Sequence, residues 1–291
     1  MAQPFPIAWF NGRFQPLEEI RLSPLDRGFL FADGVYEVIP VYQGHPFQLE
    51  AHLDRLDYSL DGIRLPNPMS RQDWREMVET LIQGNGGGDM TIYFQVTRGA
   101  DHQRDHGFPG DDVEATRFAM ASPLPVLPER IRREGARACL VADTRWARCD
   151  IKSIALLPNV LAKQQAREQG ADEALFHRDG ELVEGSSTTL FLVVDGVILT
   201  PPKSHAILPG ITRDVIIELA KEAGLSVRQE AIPLSRLSQA SEAWISSSSR
   251  EMVPLTRVGE QPIGQGDPGP VWKRLQDALV KTSRQNRSEP A

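Results

Sequence analysis

The stretch that most limits how this chain can fold is ASPLPVLPE, Ala121 to Glu129, with three prolines in nine residues. Proline fixes φ and lacks an amide donor, so these residues suit neither a helix interior nor a central strand. A chain of 291 residues interrupted there reads as two domains. We expect a small α/β domain over 1–120, a linker over 121–129 and a larger, strand-rich domain over 130–291, giving an α+β fold.

Local signals fill in both halves. Asn11-Gly12, Asp179-Gly180 and Asp195-Gly196 each separate apolar runs and predict tight hairpins. GVYEVIPVY, Gly34 to Tyr42, and MTIYFQVTRG, Met90 to Gly99, alternate and are rich in β-branched and aromatic residues, as strands are. Leu49, Leu53, Leu56 and Leu60 fall at helical spacing, with Gly62 as a stop. RQDWREMVETLIQG, NVLAKQQAREQ, ITRDVIIELAKEAG and VWKRLQDALVKT read as further helices, the third closed by Gly224. ARACLVADTRW reads as a strand, SEAWISSSSREMVPL as two strand segments meeting at serines, and SRQNRSEPA as a frayed tail.

A net charge of −7 argues against a general nucleic-acid binder. Only Cys139 and Cys149 are present, without zinc-type spacing, which fits reduced thiols in a cytoplasmic protein. No apolar run approaches the length of a membrane helix. His102 and His106 are four apart in a loop with Gly and Pro, so no metal site is expected.

Only six of the 32 basic residues are lysines, and the first is Lys152. It follows a predicted strand, precedes a helix and is flanked by Ile151 and Ile154. A lysine at a strand end facing a cleft can be desolvated, which yields a nucleophilic amine able to form Schiff bases; the alternative is a surface lysine. Lys163 lies in a polar helical run and is expected to be solvated. Glu184, before small residues in ELVEGSSTTLF, could accept from a ring N–H. PGITRD, Pro209 to Asp214, opens a helix whose free amides at Ile211 and Thr212 suit an anion. Ser246 to Ser249 add hydroxyls, and Arg55 could give a charge-assisted bond to a phosphate. Arg104 and His106, two apart in a loop, can aim a guanidinium and an imidazole at one carboxylate. An amine, an acid, a phosphate cradle and a carboxylate clamp together suit pyridoxal phosphate (PLP) and an amino-acid substrate.

DRGFLFADGVYEV, YFQVTRG, RWARCDIKSIALLPNVLAKQQA, EGSSTTLF and LPGITRDV resemble class IV aminotransferases of PLP fold type IV, from about Trp9 to Arg274. The resemblance implies a homodimer that moves the amino group of a D-amino acid to a 2-oxo acid such as 2-oxoglutarate by a ping-pong Schiff-base mechanism. It matches Lys152 to the Schiff-base lysine and proton carrier, and Glu184 to the acid at the pyridine nitrogen. Arg55, Ile211, Thr212 and Ser248 match the phosphate contacts, and Leu208 the apolar residue behind the ring. Tyr36, Arg104 and His106 match the α-carboxylate clamp, whose Arg and His reach across from the partner subunit. Ser187 is a further substrate or cofactor contact. The chain departs from the pattern at Ala32, Asp105 and Thr189, and Asp105 bears on substrate preference. Branched-chain L-amino-acid transaminases, (R)-amine transaminases and aminodeoxychorismate lyase share the Lys and Glu, and a non-catalytic PLP-binding protein is the reading from another class. GVYEV with Arg104-x-His106 favours the D-amino-acid branch.

Overall fold

A computed structural model describes residues 3–285. The chain groups into two compact units, Met1–Pro125 with Ile151–Ala155, and Val126–Asp150 with Leu156–Ala291. The first unit thus takes in a short segment, including Lys152, that the proline signal assigns to the second domain.

The first unit is an antiparallel sheet of strands β1 (Ile7–Phe10), β2 (Arg13–Pro16), β3 (Gly34–Tyr42), β4 (His45–Pro46), β5 (Met90–Thr97) and β6 (Thr116–Pro123) in the order β2-β1-β6-β5-β3-β4. Helices α1 (Arg27–Phe31), α2 (Leu49–Gly62) and α3 (Arg71–Gly84) complete it. Val35, Ile39, Val41, Ile92, Phe94 and Val96 of the sheet share one core with Leu53, Leu56, Leu60, Trp74, Val78 and Leu81 of the helices. Ser70 caps α3 with a reciprocal Asp73 contact. Gly62 ends α2 as its last helical residue, but the left-handed turn that follows falls on Arg64, with φ 56°.

The second unit contains α4 (Glu129–Glu134), β7 (Ala136–Ala142), α5 (Leu157–Glu168), β8 (Glu173–Arg178), β9 (Glu181–Gly185), β10 (Thr189–Val194), β11 (Val197–Thr200), α6 (Ile211–Glu222), β12 (Val227–Gln229), β13 (Ile232–Pro233), β14 (Glu242–Ser247), β15 (Glu251–Val258), β16 (Gln261–Pro262) and α7 (Pro270–Gln285). Its sheet runs β12-β11-β10-β14-β15-β7-β8-β9-β13, with β16 on β15. β11–β12, β15–β7 and β7–β8 are parallel and the other pairs antiparallel. Leu175, Leu190, Leu192, Ile245, Val253 and Leu255 form one core of this unit, and Phe176, Ala162 and Ala166 belong to a second.

All three predicted hairpin turns have positive φ at both central residues (Asn11 46° and Gly12 89°; Asp179 52° and Gly180 83°; Asp195 50° and Gly196 75°), as the twist of the flanking strands requires. α7 extends through Ser283, Arg284 and Gln285, which the sequence reading places in a frayed tail; the rest of that tail, 286–291, lies outside the described residues. The strand predicted over ARACLVADTRW stops at Ala142. Beyond it Asp143 accepts from the Arg145 amide and side chain, a local turn that ends the strand.

Candidate active site

In the first unit, a polar stripe on α2 organises the candidate residues. His52, Arg55 and Ser59 are buried on the same helical face as Leu53, Leu56 and Leu60. Facing them, Glu37 sits on the inward side of β3 with Val35, Ile39 and Val41, fully buried. Arg55 grips it with a fork, Nε to Oε1 at 2.7 Å and Nη2 to Oε2 at 2.8 Å, and His52 Nδ1 lies 2.7 Å from Oε2. Burial alone would push the Glu37 carboxyl up. The Arg55 guanidinium, with His52, overcomes this and holds it well below the usual carboxylate range. Burial keeps His52 below its usual value against the pull of Glu37.

Ser59 completes the stripe by accepting from the Lys152 amide at 3.1 Å. The Lys152 carbonyl accepts from the Tyr36 amide at 3.0 Å, and Ser153 bridges Val35. Lys152 therefore sits not at the end of β7, as its sequence context suggested, but in an irregular segment stitched to β3. Its side chain is half-buried, with Nζ over the Tyr36 ring, 4.2 Å from the centroid. Tyr36 in turn stacks on Tyr93 at 5.5 Å.

Arg104 and His106 are exposed in the loop after β5. Both meet one aromatic ring: the Arg104 guanidinium lies 5.0 Å from the Phe31 centroid, and the His106 ring 5.1 Å from it. Asp105, between them, turns its carboxylate to the Gly107 amide at 3.1 Å.

In the second unit, Glu184 lies within β9 and is buried. It pairs with Arg145 and accepts from the Leu208 amide at 3.3 and 3.2 Å. Arg145 is itself held by Asp143 (2.9 and 3.0 Å), which also takes Arg178 at 3.0 Å, and it lies over the Phe176 ring at 4.4 Å. Burial pushes the Glu184 carboxyl up against the pull of Arg145. Burial also works against the Arg145 charge, but the Asp143 and Glu184 carboxylates raise its pKa above the usual value. The result is a buried acid whose one face is fixed by a guanidinium and an amide.

Ile211 and Thr212 open α6, whose first turn has no side-chain cap, so its amides and dipole suit an anion. Gly210 is needed before them, since a Cβ there would come within 2.9 Å of Thr189 Oγ1. Thr189 pairs in register with Ser246, which brings the start of α6 beside the serine run. Ser246 Oγ and Ser247 Oγ are buried without a protein partner, and Ser248 is half-buried in the following turn. Buried hydroxyls without partners beside an uncapped helix start fit a phosphate group. Ser187 is exposed and lies 3.4 Å from Arg250 Nη2. Lys163, expected to be solvated, is half-buried against Glu173 at 3.5 Å because α5 lays it along β8. Among the described residues no cluster suited to a metal occurs.

The sequence reading missed Glu37, His52 and Arg145. The first two were marked by polar residues at inward positions of an otherwise apolar strand and helix. Asp143-x-Arg145 and Arg148-x-Asp150 carried acid and base two apart, and both pairs close as salt bridges.

Residues 34–258 match the model of the family described as amino-transferase class IV. The chain is 38% identical over 272 residues to the D-alanine aminotransferase of Listeria monocytogenes serotype 1/2a (strain 10403S), covering 93% of this chain and 94% of that one. It is 37% identical over 273 residues to the D-alanine aminotransferase of Staphylococcus aureus (strain N315), covering 94% and 96%. Among solved structures, the branched-chain amino acid aminotransferase from Escherichia coli superposes with a TM-score of 0.88 at 27% identity, over 98% of this chain and 97% of that one. A second, from Thermobaculum terrenum in its PLP form, superposes with a TM-score of 0.83 at 26% identity, over 96% and 94%. The chain belongs to the class IV aminotransferases.

Proposed function

We propose that this protein is a PLP-dependent transaminase that moves the amino group of a D-alanine-like D-amino acid to a 2-oxo acid such as 2-oxoglutarate. The observation that carries the reading is Lys152, a half-buried amine whose backbone is fixed at both ends by Ser59 and Tyr36. The D-amino-acid branch draws support from the curated relatives and from Arg104 and His106 on one ring.

When bound, PLP supplies an aldehyde that condenses with amines and a ring that takes up the electron pair released at the substrate Cα. With PLP bound, Lys152 Nζ would be the base that takes the substrate Cα proton and the acid that returns it. Its anchored backbone fixes the point from which the side chain reaches over Tyr36. Glu184 would accept a hydrogen bond from the ring N–H, with Arg145 and the Leu208 amide fixing its orientation. Leu208 would pack behind the ring. Arg55, the amides of Ile211 and Thr212, and Ser248 would hold the phosphate, with Glu37 fixing the Arg55 guanidinium. Tyr36, Arg104 and His106 hold the α-carboxylate, and Ser187 makes a further polar contact.

The protein acts as a homodimer in the cytoplasm. Leu157, Val160 and Leu161 of α5 are 68, 59 and 61% exposed, a stripe that a second subunit would cover. Both cysteines are unpaired, as in a reducing compartment. The domain division at 121–129 belongs to the same proposal, although β6 runs on to Pro123 and α4 opens at Glu129, and limited proteolysis confined to 124–128 would support it.

The deciding experiment compares D-alanine, L-alanine and L-leucine as amino donors to 2-oxoglutarate. Transfer from D-alanine is expected. Transfer from L-leucine with none from any D-amino acid would favour the branched-chain reading, which the superposed structures support.

A further inference from the structure

We propose that Arg27 and Phe31 of α1 are positioning residues that set the geometry of the Arg104–His106 clamp; this rests on the reading of that pair as the α-carboxylate clamp. Arg27 is buried although charged. Its Nη1 donates to the Asp105 carbonyl at 2.6 Å and its Nη2 to the His106 carbonyl at 3.3 Å, so one guanidinium holds the backbone on either side of His106. Its Nε donates to Asp33 at 2.9 Å, its amide to the Gly99 carbonyl at 2.8 Å, and its guanidinium lies 5.0 Å from the Phe31 centroid.

The anchor is itself anchored. Asp33 also takes Arg98 at 2.8 and 3.1 Å, and Arg98 lies over the Phe108 ring at 3.8 Å, at the far end of the same loop. Asp26, fully buried, caps α1 through Gly28, takes the Thr97 hydroxyl at 3.0 Å and bridges Ala100. The loop has no strand or helix of its own between Ala100 and Gly110. Its two recognition side chains are long or exposed, and the entropy of ordering them weakens binding unless the scaffold has already removed it. Arg27 fixes their backbone, and the Phe31 ring fixes their side chains against one plane.

The test measures KM and kcat for D-alanine with R104Q, R27K, F31L and the R27K/R104Q double variant, with amide hydrogen exchange over residues 99–109 as a second readout. R27K keeps the charge and loses the fork. It should raise KM about tenfold, the scale of one charge-assisted hydrogen bond, with kcat changed by no more than about threefold. Exchange should quicken in the loop and not elsewhere, and the double variant should be little worse than R104Q alone. If R104Q raises KM while R27K and F31L leave KM and loop exchange unchanged, the inference is wrong and the clamp stands. If R104Q itself leaves KM unchanged, the clamp reading fails and this inference with it. Should R27K not fold, F31L, which leaves every Arg27 hydrogen bond in place, carries the same test.

Discussion

A carboxylate does different work at two places in this chain because its neighbours differ. Glu37 faces the Arg55 fork and is held as an anion. Glu184, equally buried, is pushed up by burial despite Arg145. A buried acid that accepts from a ring N–H is useful only while its other contacts keep it aimed, and the Arg145 and Leu208 contacts do that. We predict that E184Q slows turnover with D-alanine by about 10- to 150-fold, the rate equivalent of ~1.5–3 kcal/mol for a hydrogen bond to a charged group. Single-turnover absorbance would read it. Full turnover in E184Q would remove Glu184 from the ring nitrogen.

The α2 helix shows how an element places chemistry in a core. Its buried face alternates Leu53, Leu56 and Leu60 with His52, Arg55 and Ser59, so the helix both packs and orients Glu37 and Lys152. This couples stability to pH. His52 is held below its usual 6.5 by burial, so the folded state binds fewer protons than the unfolded chain as pH falls through that value, and stability is lost there. Glu37, depressed from 4.5, adds a further loss below that value, because its folded form resists protonation that the unfolded chain accepts. Thermal melts should therefore fall below pH 6.5 and more steeply below 4.5, and H52Q should remove the upper part of the decline. A wild-type melting temperature constant down to about pH 5 contradicts this coupling. The same helix marks the limit of what was legible. The leucine spacing announced α2, and the hairpin turns announced three strand pairs, because backbone geometry demands those residues locally. The Glu37–Arg55 partnership joins residues 18 apart across helix and strand, and Glu184–Arg145 joins residues 39 apart. No local rule encodes such pairs; only a charge at an inward position hints that a partner must exist. Lys152 was readable as the first lysine of an arginine-rich chain, but its stitching to β3 was not.

At the scale of the molecule, the proposed homodimer rests on the exposed Leu157, Val160 and Leu161 stripe and on the proposed clamp. Sedimentation equilibrium should give twice the 32.4 kDa chain mass, and a Val160→Glu, Leu161→Glu variant should shift toward the monomer. A wild-type monomer with full activity would contradict the dimer. The central claim is chemical, however, and concerns which of the six lysines in the whole chain carries the cofactor. Reducing the intact holoenzyme with borohydride and mapping its peptides by mass tests it directly. The account predicts a phosphopyridoxyl group on Lys152 alone; the same group on any of the other five, with Lys152 unmodified, contradicts it.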